Sequence, residues 1–294
     1  MASIHLEDRL PKTHRIAKIV RETEHVKTFT FNLSLGARPG QFIMVWLPGK
    51  DEVPMSVAMD DGKQLKITFF DVGDLTQELF RLTEGDLVGI RGPFGTQYAW
   101  NKGQHLILVA GGYGAAPMYF VANEAVKDNC TIDFVVGARG KEHLLYLKEI
   151  EGLKNTTLHV ATDDGSVGHK GYNTEVLEML LEGEKRLATS DKRLEENKVL
   201  AANRLPLTAV FACGPEMMMK RISDICAERK VDCSMSLERY MKCGYGVCGN
   251  CVVDPLGIRL CMDGPVVKNE IVQKIAEFGK YHRDDLGKKH YFRS

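Results

Sequence analysis

The sequence has no long hydrophobic run, no excess of charge and no paired histidine motif. Every apolar segment is shorter than the roughly 18 consecutive apolar residues that a membrane-crossing helix needs. The 39 basic residues balance 39 acidic ones, so no global charge attracts nucleic acid. The nine histidines lack the H-E-x-x-H spacing of a zinc site. We therefore expect no membrane insertion, no nucleic-acid partner and no histidine-based metal chemistry.

A secretory signal is also missing, because charged side chains recur throughout residues 1–18. We therefore expect a cytoplasmic protein, in which cysteines stay reduced. Eight cysteines in a chain of 294 residues then favour free thiols and a metal site over a disulfide framework. Four of them crowd into residues 243–261, and the other four are scattered, which is typical of small buried side chains.

The first third of the chain reads as short strands. Phe29 and Phe31 alternate with threonines, and Asp61-Gly62 is a hairpin signal between two such strands. Residues 12–100 are therefore predicted to form an antiparallel β-barrel domain.

The rhythm then changes. The apolar run 105–110 is followed by a glycine cluster and by the helix-like stretch 115–127. Similar short runs at 131–136, 158–161 and 207–212, separated by helical composition, predict a parallel α/β domain over residues 101–235.

Two further segments complete the predicted fold class, which is α/β plus all-β. Residues 236–270 are predicted to form a small cysteine-bearing module, and the charged, aromatic-rich residues 271–294 a tail that is either disordered or a partner contact. Residues 182–206 are rich in Glu, Lys and Arg, which predicts an exposed helix or an inserted loop.

The strongest chemical signal is a cysteine motif. Its spacing, C-x4-C-x2-C followed by a later cysteine, is that of plant-type 2Fe-2S proteins. The glycines between the cysteines allow the backbone to curl around a cluster. A zinc site and buried structural thiols are the alternatives, but zinc sites usually pair C-x2-C knuckles and buried thiols need no glycines. The predicted cluster ligands are Cys243, Cys248, Cys251 and Cys261.

A second motif is a glycine-rich turn between an apolar strand and a predicted helix. Such a turn exposes backbone amides and a helix N-terminus to a pyrophosphate, although many such turns are only structural. Its residues are Gly111, Gly112, Gly114 and Pro117.

The order of motifs gives the chain a family resemblance. With RGPFG at 91–95 and ACGPE at 212–216, residues 12–267 resemble the ferredoxin-NADP reductase superfamily. Within it the chain is most similar to the electron-transfer subunits of dihydroorotate dehydrogenase B. The gamma subunits of NAD-linked cytoplasmic hydrogenases share several of the closer matches, which are TDDGS at 162–166, GHKG at 168–171, LERYMKC at 237–243 and CMDGP at 261–265.

The resemblance implies sites for FAD and NAD(H). Relatives begin the flavin segment with an arginine, which is Val53 here, so one phosphate contact is missing. Asp163 and Asp164 stand where phosphate-preferring relatives place serine and arginine, which favours NADH. Cys213 would face the nicotinamide and is the candidate catalytic residue. The other implied cofactor-binding residues are Pro54, Met55, Ser56, Gly73, Thr76, Gly214 and Pro215.

The resemblance also implies a partner. NADH delivers two electrons and a 2Fe-2S cluster accepts one, so a flavin must stand between them, and no motif marks a terminal substrate. We expect one subunit of a hetero-oligomer, whose partner is an FMN-containing catalytic subunit that oxidises dihydroorotate to orotate in pyrimidine biosynthesis. Tyr245, Val247 and Leu256 would face it. The alternatives are an NAD(P)-reducing gamma subunit of a cytoplasmic hydrogenase or sulfite reductase and a zinc-bearing interaction module.

Overall fold

A barrel forms the first part of the molecule. The computed structural model describes residues 10–190, 208–284 and 286–292. Six antiparallel strands close in the order β1-β2-β5-β4-β3-β6, and helix α1 (Asp74–Arg81) lies between the last two strands in sequence. The strands are β1 (Lys12–Arg21), β2 (Val26–Phe31), β3 (Phe42–Trp46), β4 (Glu52–Asp60), β5 (Leu65–Phe70) and β6 (Leu87–Phe94).

The predicted alternation explains the barrel interior. Phe29 and Phe31 are completely buried, and every second residue of β5 points into the same core. The predicted hairpin at Asp61-Gly62 is confirmed, because it joins β4 to β5. The Asp61 carboxylate accepts hydrogen bonds from the amides two and three residues further on, those of Lys63 at 2.9 Å and Gln64 at 2.7 Å.

A seven-stranded sheet forms the second part, in the order β10-β9-β8-β7-β11-β12-β15. All neighbours are parallel except β12 and β15, which confirms the predicted parallel α/β architecture. The strands are β7 (His105–Gly111), β8 (Thr131–Ala138), β9 (Thr156–Thr162), β10 (His169–Lys170), β11 (Thr208–Cys213), β12 (Asp232–Ser236) and β15 (Val266–Lys268).

Helices cover the sheet. One core cluster packs α2 against one face, and a second packs α4 and α5 against the other. The helices are α2 (Ala115–Ala125), α3 (Leu147–Glu151), α4 (Asn173–Ser190) and α5 (Glu216–Arg229). Of the charged segment 182–206, residues 182–190 belong to α4, and 191–206 lie outside the described residues. In the described part of the chain no helix combines the length and apolar character that crossing a bilayer requires.

The cysteine module lies between two strands of the sheet. The chain leaves at β12, forms the cysteine loop and returns as β15, which pairs antiparallel with β12. The remaining elements are β13 (Val252–Val253), β14 (Ile258–Arg259), α6 (Leu260–Asp263), α7 (Asn269–Val272), β16 (Tyr281–Arg283) and β17 (Lys289–Tyr291). Strands β16 and β17 form an antiparallel hairpin inside the segment expected to be a tail.

The scattered cysteines are core residues. Cys130, Cys213, Cys226 and Cys233 are all buried, which confirms the expectation for these four side chains. Cys251 and Cys261 of the cysteine loop are buried as well and belong to the same core cluster as helix α5. The loop is therefore packed onto the sheet domain through two of its thiols.

Gly114 is expected to be essential for packing between the loops that follow β7 and β11. A Cβ at this position would overlap the carbonyl oxygen of Cys213. We expect Gly114→Ala to lower the free energy of unfolding by about 1–3 kcal/mol, as overpacking does. The measurement is the midpoint of urea unfolding followed by circular dichroism.

Gly183→Ala is the matched control. Among the described residues, no atom outside the backbone of its own helix and its chain neighbours lies within 4 Å of the added Cβ, and the residue lies within helix α4. Alanine there should raise the free energy of unfolding by about 0.5–1 kcal/mol. A Gly114→Ala protein as stable as the wild type would show that the two loops do not pack this closely.

Candidate cofactor cleft and cysteine loop

A cleft of about 1240 Å³ opens where the barrel, the sheet and the β16–β17 hairpin meet. The barrel contributes β4, β5 and the start of α1. The sheet contributes the ends of β11 and β12 and the loop after β7, and residues 236–241 continue the wall. Parallel strands end at this edge of the sheet, which is where ligands bind in open α/β folds.

The five predicted flavin residues share the barrel side of this cleft. Pro54, Met55 and Ser56 line it from β4, and Gly73 and Thr76 line it from the start of α1. The Gly73 N–H donates to Thr76 Oγ1 at 2.9 Å, and the Thr76 hydroxyl donates back to the Gly73 carbonyl at 2.9 Å. This exchange fixes the first turn of α1 at the edge of the cleft.

The position of the missing arginine also lies in the cleft. Val53 lines it beside Pro54, and its side chain offers neither charge nor hydrogen bond to a phosphate. Strand β4 therefore supplies no cation to the barrel side of the cleft.

The sheet side of the cleft carries the predicted nicotinamide residues. Cys213, Gly214 and Pro215 line it at the end of β11, and Pro117 lines it from α2. Burial and the neighbouring Glu238 carboxylate raise the pKa of Cys213 to about 12, although Ser236 opposes the rise by hydrogen bonding. The Cys213 thiol is therefore protonated and uncharged at neutral pH, which suits a positioning role rather than a nucleophilic one.

Tyr113 and Pro117 of the glycine-rich turn line the cleft, but the three predicted glycines Gly111, Gly112 and Gly114 lie beside it. A Cβ on Gly111 would come within 2.8 Å of the Pro215 ring, and Gly114 packs against the Cys213 carbonyl. Gly112 has a φ of +51°, a conformation that glycine adopts without penalty. These glycines bring the loops after the neighbouring strands β7 and β11 into contact, so their direct effect is on the shape of the cleft.

Asp163 and Asp164 follow β9, further along the same edge of the sheet, and do not line the cleft. The amides of the two residues donate to the carbonyls of Ala138 and Arg139 at the end of β8, at 3.1 and 3.2 Å. Hydrogen bonds from Ser166 lower the pKa of Asp164. The turn therefore holds a carboxylate, ionised at neutral pH, at an exposed position of the sheet edge.

The four predicted cluster ligands lie in one loop as two thiol pairs. Cys243 contacts Cys248, and Cys251 contacts Cys261. Amides point at the sulfurs: Gly246 N–H lies 3.1 Å from Cys261 Sγ, and Cys261 N–H lies 3.4 Å from Cys251 Sγ. Among the residues the structure describes, no three metal-binding side chains converge on one ion position.

The pairs are polarised toward thiolates. Burial opposes ionisation of Cys243, but backbone amides of the loop lower its pKa to about 7. A hydrogen bond from the Cys261 thiol lowers the pKa of Cys251 to about 6, and the same bond raises the pKa of Cys261. Two pairs of thiols under backbone amides fit two irons, because thiolate is the ligand and N–H groups stabilise its charge.

Glycine is required inside this loop. Gly244 and Gly246 have φ values of +76° and +81°, which side chains disfavour. A Cβ on Gly246 would also come within 2.7 Å of Met262. The loop geometry therefore agrees with the reason for which these glycines were singled out in the sequence.

Arg91 of β6 fastens the cysteine loop to the barrel. Its guanidinium donates to both oxygens of Glu52, each at 2.5 Å, and to the carbonyl of Cys243 at 2.6 Å. The side chain is 5% exposed, and the rings of Phe94 and Tyr245 cover it at 5.4 and 5.6 Å. The loop and the flavin strand β4 are thus joined through one buried arginine.

Sequence reasoning missed a second buried arginine. Arg239 binds Glu216 at the start of α5, with a shortest distance of 2.5 Å, and Glu277 at 2.8 Å. Arg239 lies in a segment that carried the family resemblance, but neither partner is near it in sequence. The Glu277 carboxylate also lies 3.6 Å from Arg283 of the hairpin. The network ties the hairpin to the cleft wall.

Two protein-family models match the chain. Residues 108–224 match a model described as the oxidoreductase NAD-binding domain. Residues 238–273 match the iron-sulfur cluster binding domain of dihydroorotate dehydrogenase B. The second match covers all four cysteines of the loop.

Similar proteins extend over almost the whole chain. A solved structure described as an NADH-dependent reduced ferredoxin-NADP oxidoreductase has a TM-score of 0.71 and 28% identity, and each chain covers 95% of the other. Two relatives carry the name "Probable dihydroorotate dehydrogenase B (NAD(+)), electron transfer subunit". The one from Methanocaldococcus jannaschii is 40% identical over 96% of this chain and 99% of its own. The one from Methanothermobacter thermautotrophicus is 40% identical over 95% and 97%. The chain therefore belongs to the family of dihydroorotate dehydrogenase B electron transfer subunits.

Proposed function

We propose that this chain moves electrons between NAD(H) and a catalytic partner subunit, through FAD in the cleft and a 2Fe-2S cluster on the cysteine loop. The partner is an FMN-containing dihydroorotate dehydrogenase subunit, and the complex is a cytoplasmic hetero-oligomer. One observation carries the proposal: Arg91 of β6 contacts both Glu52 of the flavin strand β4 and the carbonyl of Cys243 in the cysteine loop. Strands β6 and β4 are separated only by β3, so the candidate flavin and cluster sites are adjacent.

The bound cofactors supply the chemistry: FAD exchanges a hydride with NAD(H) and exchanges single electrons with the cluster. The residues of this chain bind and orient. Met55 and Ser56 would flank the flavin ring, and the first turn of α1 would receive phosphate oxygens. Cys213, with its proton retained, would face the nicotinamide without adding charge. No side chain needs to act as an acid or base.

A division of labour follows for the chain. We assign residues 12–100 to FAD binding, 101–235 to NAD binding and 236–270 to the cluster, with 271–294 as a separate segment. In the NAD-binding part the glycines at 111, 112 and 114 would shape the turn, and Gly214 and Pro215 would follow the strand that ends at Cys213.

The partner would dock on the exposed side of the cysteine loop. Cys248 is exposed there, and Val247 is 75% exposed and Leu256 40% exposed. Apolar side chains that stand in solvent around a redox site are typical of a contact surface. Tyr245 differs from these two, because its ring packs on the buried Arg91, so it supports the loop from inside.

A different catalytic partner is the second candidate. The solved structure that matches 95% of this chain is titled as an NADH-dependent ferredoxin-NADP oxidoreductase. The same series of electron carriers, NAD(H), FAD and the 2Fe-2S cluster, would then serve another catalytic subunit, such as that of a hydrogenase or a sulfite reductase. The partner therefore has to be tested directly.

Reconstitution with the cognate catalytic subunit is the test of the proposed function. We expect dihydroorotate to reduce NAD in the complex, and Cys248→Ser to abolish this coupling because electrons from the partner would enter this chain through the cluster. NADH oxidation with a small dye, which needs only the flavin, should survive. Coupling at the wild-type rate in Cys248→Ser would refute the cluster route, and no coupling with a competent partner would favour the second candidate.

Loss of any one loop cysteine should deplete the cluster. Serine at Cys243, Cys248, Cys251 or Cys261 removes a thiolate ligand, so iron and acid-labile sulfide per chain should fall well below the wild-type content. The low-temperature paramagnetic resonance signal of the dithionite-reduced protein should weaken or change in parallel.

Cys130→Ser is the control for these four variants. Its sulfur lies 3.5 Å from the Asn101 carbonyl, a bond that a serine hydroxyl can replace, and it lies in the sheet core away from the loop. Iron content and spectrum should match the wild type. Four serine variants with wild-type iron would overturn the ligand assignment.

NADH should be preferred over NADPH. Carboxylates at Asp163 and Asp164 would repel a 2′-phosphate, and a charge pair at about 4 Å is worth on the order of 1 kcal/mol in water and more when partly desolvated. We expect kcat/KM with an artificial acceptor to favour NADH by roughly tenfold or more. Asp163→Asn with Asp164→Asn should narrow the ratio, whereas Asp61→Asn in the barrel hairpin should leave it unchanged. A wild-type preference for NADPH would contradict this assignment.

A further inference from the structure

The lining of the cleft contains more acidic than basic residues, although the dinucleotides expected there carry a negatively charged pyrophosphate. The phosphates of a dinucleotide are negatively charged, and strand β4 has Val53 at the position where relatives have an arginine. The acidic residues of the lining are Asp51, Asp74, Glu78, Glu216, Glu238 and Asp284. The basic residues are Lys50, Arg239, His282 and Arg283. Among the described residues that line the cleft, these four are the candidates for a charged contact to a phosphate.

Arg239 and Lys50 are engaged elsewhere. Arg239 is 4% exposed and divides its guanidinium between two carboxylates, those of Glu216 and Glu277. Lys50 stands at the rim, where it pairs with Glu78 at 3.3 Å and is half exposed. An exposed lysine of this kind contributes little, because solvent screens it.

The hairpin supplies the other two. The His282 ring stacks on His290 with centroids 5.5 Å apart. Arg283 is 34% exposed; its Nη2 lies 3.0 Å from Asp254, and its Nε lies 3.6 Å from Glu277. Nη1 has no hydrogen-bond partner within the described ranges. Two carboxylates thus orient Arg283, whose guanidinium carbon also lies 5.8 Å from the centroid of the Tyr281 ring. Nη1 is the nitrogen that this arrangement leaves for a ligand.

The hairpin is anchored firmly enough to act as a wall. The Glu216 carboxylate accepts a hydrogen bond from the Gly279 amide at 2.8 Å. The backbone carbonyl of Asp254 accepts one from the Ala276 amide at 2.9 Å. At the turn, the Asp284 carboxylate accepts from the amide of Lys288 at 2.9 Å and contacts His290 at 2.8 Å. Strand β16 therefore meets the cleft in a fixed orientation.

We propose that Arg283 contacts the pyrophosphate of the dinucleotide bound in the cleft, and that the β16–β17 hairpin is part of that site. The inference rests on the proposed function, because it requires FAD or NAD(H) in this cleft. Nη1 carries two N–H donors, and hydrogen bonds between ionised groups are stronger than those between neutral ones. Arg283 would supply from the far side of the cleft the cation that position 53 lacks.

Binding of each dinucleotide tests the proposal. FAD is titrated into flavin-depleted full-length protein and followed by flavin fluorescence, and NADH is titrated anaerobically into dithionite-reduced, FAD-loaded protein and followed by quenching of NADH fluorescence. We expect Arg283→Gln to weaken one of the two by roughly tenfold to a hundredfold, the range of a hydrogen bond to a charged group. Arg283→Lys should recover part of the loss.

The control is Lys289→Gln. Lys289 lies opposite Arg283 in the hairpin register, stands over the Tyr281 ring at 4.5 Å and is outside the cleft lining. It removes the same charge from the same hairpin, so both affinities should stay within about twofold of the wild type if the contact is local.

Asp254→Asn separates contact from anchoring. It weakens one anchor of the hairpin while the Arg283 cation remains, so its effect should be much smaller than that of Arg283→Gln. A loss in FAD binding alone identifies the FAD phosphates, and a loss in NADH binding alone identifies the NAD phosphates. Unchanged affinities in Arg283→Gln, or equal losses in Asp254→Asn and Arg283→Gln, overturn the proposal. A wild-type chain that binds neither dinucleotide removes the proposed function and this inference with it.

Discussion

The buried Arg91 is the interaction on which the arrangement of the two redox sites depends. It neutralises Glu52 on the flavin strand and, with the same guanidinium, holds the Cys243 carbonyl. Both partners of the ion pair belong to the barrel, so the link to the loop consists of the hydrogen bonds from Arg91 to the carbonyls of Cys243 and Lys242. A carbonyl that loses a buried donor of this kind costs about 1–3 kcal/mol, which favours one relative position of barrel and loop. Electron transfer between two carriers needs a short, fixed separation. Arg91 therefore contributes to the distance between the candidate flavin and cluster sites, which the residues of neither site determine alone.

Much of the fold could be predicted because its signals are local. The alternation around Phe29 and Phe31 predicts a strand with one buried face, and the structure places both rings in the barrel core. Strand β12 gave no such signal, because its sequence DCSMS is short and contains polar residues. Its burial comes from neighbours on both sides, β11 and β15, which only the tertiary structure shows.

The candidate site divides in the same way. Pro54, Thr76 and Cys213 belong to contiguous motifs, and they line one cleft although they come from different domains. Arg239 and Glu277 form an ion pair over 38 positions in sequence, and no local pattern announces such a pair. The hairpin that carries Arg283 escaped for a related reason. The composition of residues 271–294, charged and aromatic with few apolar side chains, is typical of a tail. The hairpin is held by contacts such as that between Arg283 and the buried Glu277 carboxylate, which composition does not reveal.

The return of the chain to the sheet as β15 has a consequence for how such proteins can be rebuilt. Ser236 at the end of β12 pairs with Val266 at the start of β15. The cysteine loop is therefore an insertion between two adjacent strands, and its two ends lie side by side in the sheet. Removing residues 237–265 would require a new link between the adjacent ends of β12 and β15. Grafting the loop onto another reductase would likewise require two adjacent strand ends to receive it. Its retention of iron on heating should therefore follow the melting of the sheet that carries it.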